Sequence, residues 1–277
     1  MMELTYLGTA AAEGWPALFC RCESCQRAAQ LGGKDIRTRA QAVVDDQLLL
    51  DFGPDTYLHS LYRGLKLAQV HTALVTHAHQ DHFEPLELIL RGEPYAHDSD
   101  PTPMTVYGCG EVKRLYERAM EQNDSPNLAQ RVIFSEVTEF VPFQTVEGYW
   151  VTPLLAKHDP AQKCLIYLVE KDGKSLLYAH DSGAFPSETW DCLQHKHLDI
   201  VSLDCTMGMH ADGQYHMGLP DAKKVRERML AMGCATEYTQ FVANHFSHNG
   251  GLTHAQLCDA AQKMGMLAAY DGLRLQA

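Results

Sequence analysis

Within the run Thr76-His77-Ala78-His79-Gln80-Asp81-His82, three imidazoles and one carboxylate fall inside six residues. Both groups are ligands for hard or borderline divalent ions, and a hydrolytic centre keeps one coordination position open for water or substrate. Four protein ligands this close together exceed what one such open tetrahedral site uses, so the run implies two adjacent ions. A second cluster, Cys20-Arg21-Cys22-Glu23-Ser24-Cys25, puts three thiols in six residues. Three soft sulfurs suit a structural zinc that completes its tetrahedron with a ligand from elsewhere, with a redox cluster or three unremarkable cysteines as the alternatives.

Such side chains need elements to hold them. The apolar run Thr72 to Val75 reads as a strand that delivers the histidine loop, and Pro85 to Leu90 as a helix after it. Met2 to Leu7 reads as an opening strand running into the small-residue loop Gly8 to Gly14. Ala42 to Val44 and Gln47 to Leu50 read as a hairpin about Asp45-Asp46 that ends at Asp51. Tyr57, Leu58, Leu61 and Tyr62 recur at helical spacing behind Pro54, which makes Asp51 either a helix-start residue or part of the site. Arg37-Thr38-Arg39 reads as a solvated pair of charges. Further on, Arg91 to Pro103 is expected to be a loop, Thr105 to Tyr107 a strand, and Glu111 to Met120 a helix. A hairpin is expected over Cys164 to Ala179, a strand over Leu198 to Leu203, and helices over Leu219 to Met232 and Thr253 to Lys263. Tyr238 to Ala243 is expected to be another strand, with Met266 to Tyr270 as the final one. His59, His71, His97, His195, His197, His210 and His254 stand in no motif.

The signature His77-x-His79-x-Asp81-His82 resembles that of the metallo-β-lactamase superfamily. The early Cys-x-Cys-x-x-Cys narrows the resemblance to the phosphodiesterase that accompanies the carbon-phosphorus lyase pathway, a cyclic phosphodiesterase branch similar to ribonuclease Z. The resemblance covers essentially the whole chain and implies an α/β fold, the four-layer αββα sandwich, as one domain over residues 1–277. It also implies that His77, His79 and His158 hold one divalent ion, that Asp81, His82 and His245 hold the other, and that Asp181 bridges them together with a hydroxide. Zinc or manganese fits such mixed ligation. By the same resemblance His248 is the fourth ligand of a structural zinc on Cys20, Cys22 and Cys25, and Asp51 hydrogen-bonds a metal-binding histidine. His216, five residues before Asp221, is similar to the histidine that supplies a general acid in these branches. Asp204 is read as a supporting carboxylate and the next candidate for the acid, and His180 as a neighbour of the site. Catalysis then rests on Asp81, Asp181 and His216. The activity expected is hydrolysis of a small cyclic phosphodiester, of the cyclic ribosyl phosphate or 2′,3′-cyclic nucleotide type. The alternatives are a thioester or lactam hydrolase, or a non-catalytic carrier of the same fold.

Composition limits the partners. Acidic residues outnumber basic ones 35 to 23, a net charge of −12, which leaves little surface to neutralise the phosphates of a long nucleic acid. No apolar stretch approaches the ~20 residues of a membrane-spanning helix. The first residues carry no basic segment followed by an apolar core. With nine cysteines, an odd number, the expected setting is the reducing cytoplasm. A homodimer is open to the chain.

Overall fold

The computed structural model describes residues 1–97, 100–122, 125–211 and 213–277. Among the described residues the β-prone runs form two seven-stranded sheets. The first is laid down by β1 (Glu3–Gly8), β2 (Gln41–Val44), β3 (Leu48–Leu50), β4 (Thr72–Leu74), β5 (Met104–Gly108) and β6 (Val132–Glu136). The second contains β7 (Phe143–Gln144), β8 (Trp150–Leu155), β9 (Leu165–Lys171), β10 (Lys174–Ala179), β11 (Ile200–Asp204), β12 (Gln240–Asn244) and β13 (Leu267–Ala268). The last strand, β14 (Arg274–Gln276), returns to the first sheet and pairs antiparallel with β1. Each sheet is antiparallel in one half and parallel in the other, with β3 to β6 parallel in the first and β10 to β13 parallel in the second.

Alternation along the strands explains the layers. On β9, Leu165, Tyr167 and Val169 point into the core between the sheets, whereas Ile166 and Leu168 face the outer core of the second sheet. That outer core is closed by the helices Ser187–Leu193, Leu219–Met232 and His254–Lys263. The helix Gly110–Glu121 covers the first sheet with Val112. The result is the αββα sandwich. Among the described residues no helix is long and apolar enough to cross a membrane.

Some expectations need correction. Pro85–Arg91 is a 3-10 helix. The terminal strand is β14, while Met266 to Tyr270 contributes only the two-residue β13. The expected loop Arg91 to Pro103 includes residues 98 and 99, which lie outside the described residues.

Arg37 and Arg39 are not solvated. The Arg37 guanidinium is buried, donates to Thr9 Oγ1 at 2.8 Å and the Ala269 carbonyl at 2.7 Å, and lies over the Phe246 ring. Arg39 pairs with Asp55 at 2.9 Å. The tripeptide is polar in sequence, but partners from separate parts of the chain enclose it. Finally, the apolar stripe of the helix Thr56–Tyr62 faces outward, and its polar Thr56 and His59 face inward.

Candidate metal centre

The candidate ligands and two of the carboxylates that hold histidines stand at carboxyl ends of strands, where open α/β sheets place their ligand sites. Asp51 follows β3, the histidine loop follows β4, His158 follows β8, Asp181 follows β10, Asp204 ends β11 and His245 follows β12. Three of these non-glycine residues, Asp51, Asp181 and His245, have left-handed backbone angles, with φ of 65°, 47° and 60°. Such conformations cost free energy and concentrate where a side chain must be aimed at a functional site. The histidine loop also needs Gly53, because a Cβ there would come within 2.0 Å of the Asp81 carbonyl oxygen.

The side chains converge as two sets. In the first, His77 Nε2 lies 2.8 Å from His79 Nδ1, which lies 3.3 Å from His158 Nε2. A tetrahedral zinc with Zn–N bonds of ~2.0–2.1 Å separates its ligands by ~3.3 Å. In the second set, His82 Nε2 is 2.9 Å from Asp81 Oδ2 and 2.6 Å from Asp181 Oδ2, with His245 on the other side of Asp81 at 4.0 Å. Asp181 Oδ2 is also 3.5 Å from His77 Nε2, so this oxygen lies between the sets.

The donor chemistry fits ions at both positions. Each histidine offers one ring nitrogen to the centre while the other nitrogen is held from behind. His82 Nδ1 donates to Asp51 at 2.8 Å, and His245 Nδ1 to the Thr206 hydroxyl at 2.8 Å. His79 Nε2 donates to Asp159 at 3.2 Å, and His158 Nδ1 to the Tyr215 carbonyl at 3.2 Å. His77 Nδ1 meets Thr76 Oγ1 at 3.0 Å, and that hydroxyl donates to Asp51. His245 Nε2 is buried without a hydrogen-bond partner, the state of a nitrogen built to bind something else.

Electrostatics agree. Burial and repulsion from His82 hold His77 well below the usual histidine range, so its ring is neutral, the form that a metal ion would need. Burial opposes charge on Asp181, yet His245 and His82 outweigh it and keep the carboxyl ionised. Burial likewise opposes a charge on His82, but Asp81, Asp51 and Asp181 raise its pKa, so a proton there stands where a cation would neutralise the carboxylates.

His216 stands at the mouth, partly exposed, with its ring 4.8 Å from that of His158. Its Nδ1 donates to Asp204 at 3.0 Å and lies 3.3 Å from Asp181 Oδ1. Burial lowers its pKa, but the hydrogen bond to Asp204 together with the charges of Asp204, Asp181 and Asp81 outweighs it and raises it to about 9. Asp204 is buried and accepts from Thr206 N, Met217 N, Thr206 Oγ1 and His216 Nδ1. It is engaged on every side as an acceptor, so it anchors His216. His180 is buried beside the donor sets, bonded to Ser202 and Asn244.

Sequence reasoning missed Thr76, Asp159 and Thr206. Their only signal is position, because Thr76 and Asp159 adjoin His77 and His158 and Thr206 lies two residues past Asp204.

Cys20, Cys22, Cys25 and His248 form a separate group. Cys20 Sγ and Cys22 Sγ lie 3.7 and 3.4 Å from His248 Nδ1, close to the ~3.6 Å expected between sulfur and nitrogen on one tetrahedral zinc. The Cys25 amide, pointing at the Cys22 sulfur, and His248 lower the Cys22 thiol to about 6. Burial pushes the Cys25 thiol up to about 11. Loss of a zinc at this position is expected to cost ~2 kcal/mol or more, a melting temperature lower by roughly 4–8 °C. Cys22→Ser should therefore lower melting temperature and metal content together, and a variant with undiminished zinc would remove the thiol from the site.

A family model described as a β-lactamase superfamily domain matches residues 47–246. Among solved structures, a diphosphatase of the PhnP family superposes with a TM-score of 0.77 at 22% identity, covering 100% of this chain and 98% of that one. The zinc-bound PqqB of Methylobacterium extorquens gives 0.69 at 18% identity, covering 99% and 100%. The short form of human tRNase Z, ELAC1, gives 0.69 at 17% identity, covering 99% and 98%. At these identities the likeness establishes the fold. No curated protein matches the sequence.

Proposed function

Because the chain belongs to the β-lactamase superfamily and is a metal-dependent hydrolase, we propose that it is a dinuclear phosphodiesterase acting on a small cyclic phosphodiester. The observation that carries this reading is the pair of donor sets with Asp181 Oδ2 between them, beside a histidine held by its own carboxylate. Zinc or manganese ions held by His77, His79 and His158 and by Asp81, His82 and His245 would supply Lewis acidity and an acidified water at neutral pH. Asp51, Asp159 and Thr206 fix the ring directions and tautomers, so the ligand nitrogens are aimed before substrate arrives.

His216 has the remaining role. Since Asp204 accepts from Nδ1, the proton that His216 exchanges is on Nε2. A donor at this position matters for a ribose-like alkoxide, which is a poor leaving group unless protonated. The net charge of −12 favours a small substrate over a long nucleic acid. By the same reading Cys20, Cys22, Cys25 and His248 hold a structural zinc. Zinc- or manganese-loaded protein is expected to hydrolyse a 2′,3′-cyclic nucleotide or a cyclic ribosyl phosphate. Inertness toward both, with turnover of nitrocefin or a thioester, would overturn the assignment.

A further inference from the structure

The groups that hold the histidines of the centre are themselves held. Asp51, which accepts from His82, also accepts from the Thr76 amide and hydroxyl at 2.8 and 2.9 Å. The Thr206 hydroxyl that meets His245 donates to Asp204 Oδ2 at 3.2 Å. Asp159, which accepts from His79, has a harder task. Its side chain is 25% exposed and that of His79 39%, whereas Asp51 and His82 are wholly buried. An accessible carboxylate keeps other rotamers open to it, so this position needs a brace of its own.

We propose that Gln162 is that brace, a positioning residue that aims His79 through Asp159. This role presupposes the two-ion reading of the centre. Gln162 Nε2 donates to Asp159 Oδ2 at 2.9 Å, the same oxygen that accepts from His79 Nε2 at 3.2 Å. The other oxygen, Oδ1, accepts from the Ala161 amide at 2.8 Å, which closes a side-chain turn two residues on. Both oxygens are thereby committed, and the plane of the carboxylate is set.

At its other end Gln162 reaches across to the first sheet. Its Oε1 accepts from the Ala78 amide at 2.9 Å, and Ala78 stands between the donors His77 and His79. Chemistry fixes which way the side-chain amide points. A backbone N–H only donates and an ionised carboxylate only accepts, so the oxygen faces Ala78 and the NH2 group faces Asp159. One side chain therefore holds both the loop that carries His79 and the carboxylate that orients its ring.

Cohesion of the fold does not depend on it. Here Leu165 N donates to the Thr76 carbonyl at 2.9 Å and the Tyr167 hydroxyl to the Val75 carbonyl at 2.8 Å, all four residues being buried. Gln162 is only partly buried and lies outside both apolar cores. What it adds is direction. The loop after β8 thus carries in sequence His158, the carboxylate behind His79, and the amide that braces that carboxylate.

Titration of the zinc-loaded protein against a competing chelator tests the proposal. Gln162→Met keeps the side-chain length and removes both hydrogen bonds, whereas Gln162→Glu keeps an acceptor for Ala78 but sets a like charge against Asp159. Both variants are expected to release one zinc ion ~10- to 100-fold more readily than the wild type, the usual worth of a group that orients a metal-binding histidine. The remaining ions and the circular dichroism spectrum should be unchanged. Wild-type affinities in Gln162→Met overturn the proposal, as does a parallel weakening of both ions of the centre, the mark of a merely structural role. Wild-type affinities in Gln162→Glu alone also overturn it, because the bond to Ala78 would then suffice. A wild type that yields no pair of ions from the histidine centre overturns the two-ion reading itself, before any variant is compared.

Discussion

Asp181→Ala is expected to lower hydrolysis by at least ~10³-fold, about 4 kcal/mol of transition-state stabilisation, and to lower the content of bound divalent ion. Asp181 Oδ2 is 3.5 Å from His77 Nε2 and 2.6 Å from His82 Nε2, so one substitution removes the carboxylate that stands between the two donor sets. The fold should survive, because Asp181 lies beyond the end of the strand Lys174–Ala179 and contributes nothing to either apolar core. Its φ of 47° means that alanine adds a small conformational penalty that asparagine avoids. Asp181→Asn therefore separates the effects, retaining the backbone geometry while losing the charge, and it should be nearly as inactive. Metal analysis and rate measured on both variants decide the matter. Full activity in Asp181→Asn would remove the bridging role and with it the dinuclear reading.

The part of the centre legible in the sequence was the part that is local. His77, His79, Asp81 and His82 sit in one loop, so spacing alone pointed to metal chemistry, and the three clustered cysteines announced themselves in the same way. His158, Asp181 and His245 are single residues following three separate strands, and only resemblance singled them out. The structure shows what joins them, a shared edge formed by the carboxyl ends of β8, β10 and β12. Thr76, Asp159 and Thr206 were illegible because a lone hydroxyl or carboxylate acquires its meaning from the ring nitrogen it meets. Arg37 was misread for a related reason, since its partners Thr9 and Ala269 arrive from both ends of the chain. The outward stripe of Tyr57, Leu58, Leu61 and Tyr62 carried the correct period for a helix, but a period says nothing about which side the core is on. That side was set by Gln41, which bonds both Thr56 and His59.

His216→Ala is expected to lose ~10²- to 10⁴-fold on a 2′,3′-cyclic nucleotide, the usual contribution of a general acid, and much less on bis(p-nitrophenyl) phosphate. The contrast follows from the leaving groups, because a ribose alkoxide is strongly basic and needs a proton as the bond breaks, whereas nitrophenolate departs without one. The geometry assigns the proton to Nε2, since Nδ1 is committed to Asp204 at 3.0 Å. Metal content should persist in the variant, as all seven donors of the two sets remain. Asp204→Asn supplies an independent check. It leaves His216 in place but removes the carboxylate that anchors it, so it should reproduce the same substrate contrast in weaker form. If His216→Ala slows both substrates by one factor with the ions still bound, the residue positions the phosphate or supports the pocket. The mouth of the site would then offer no proton donor among the residues identified, since Asp204 is already occupied as an acceptor on every side.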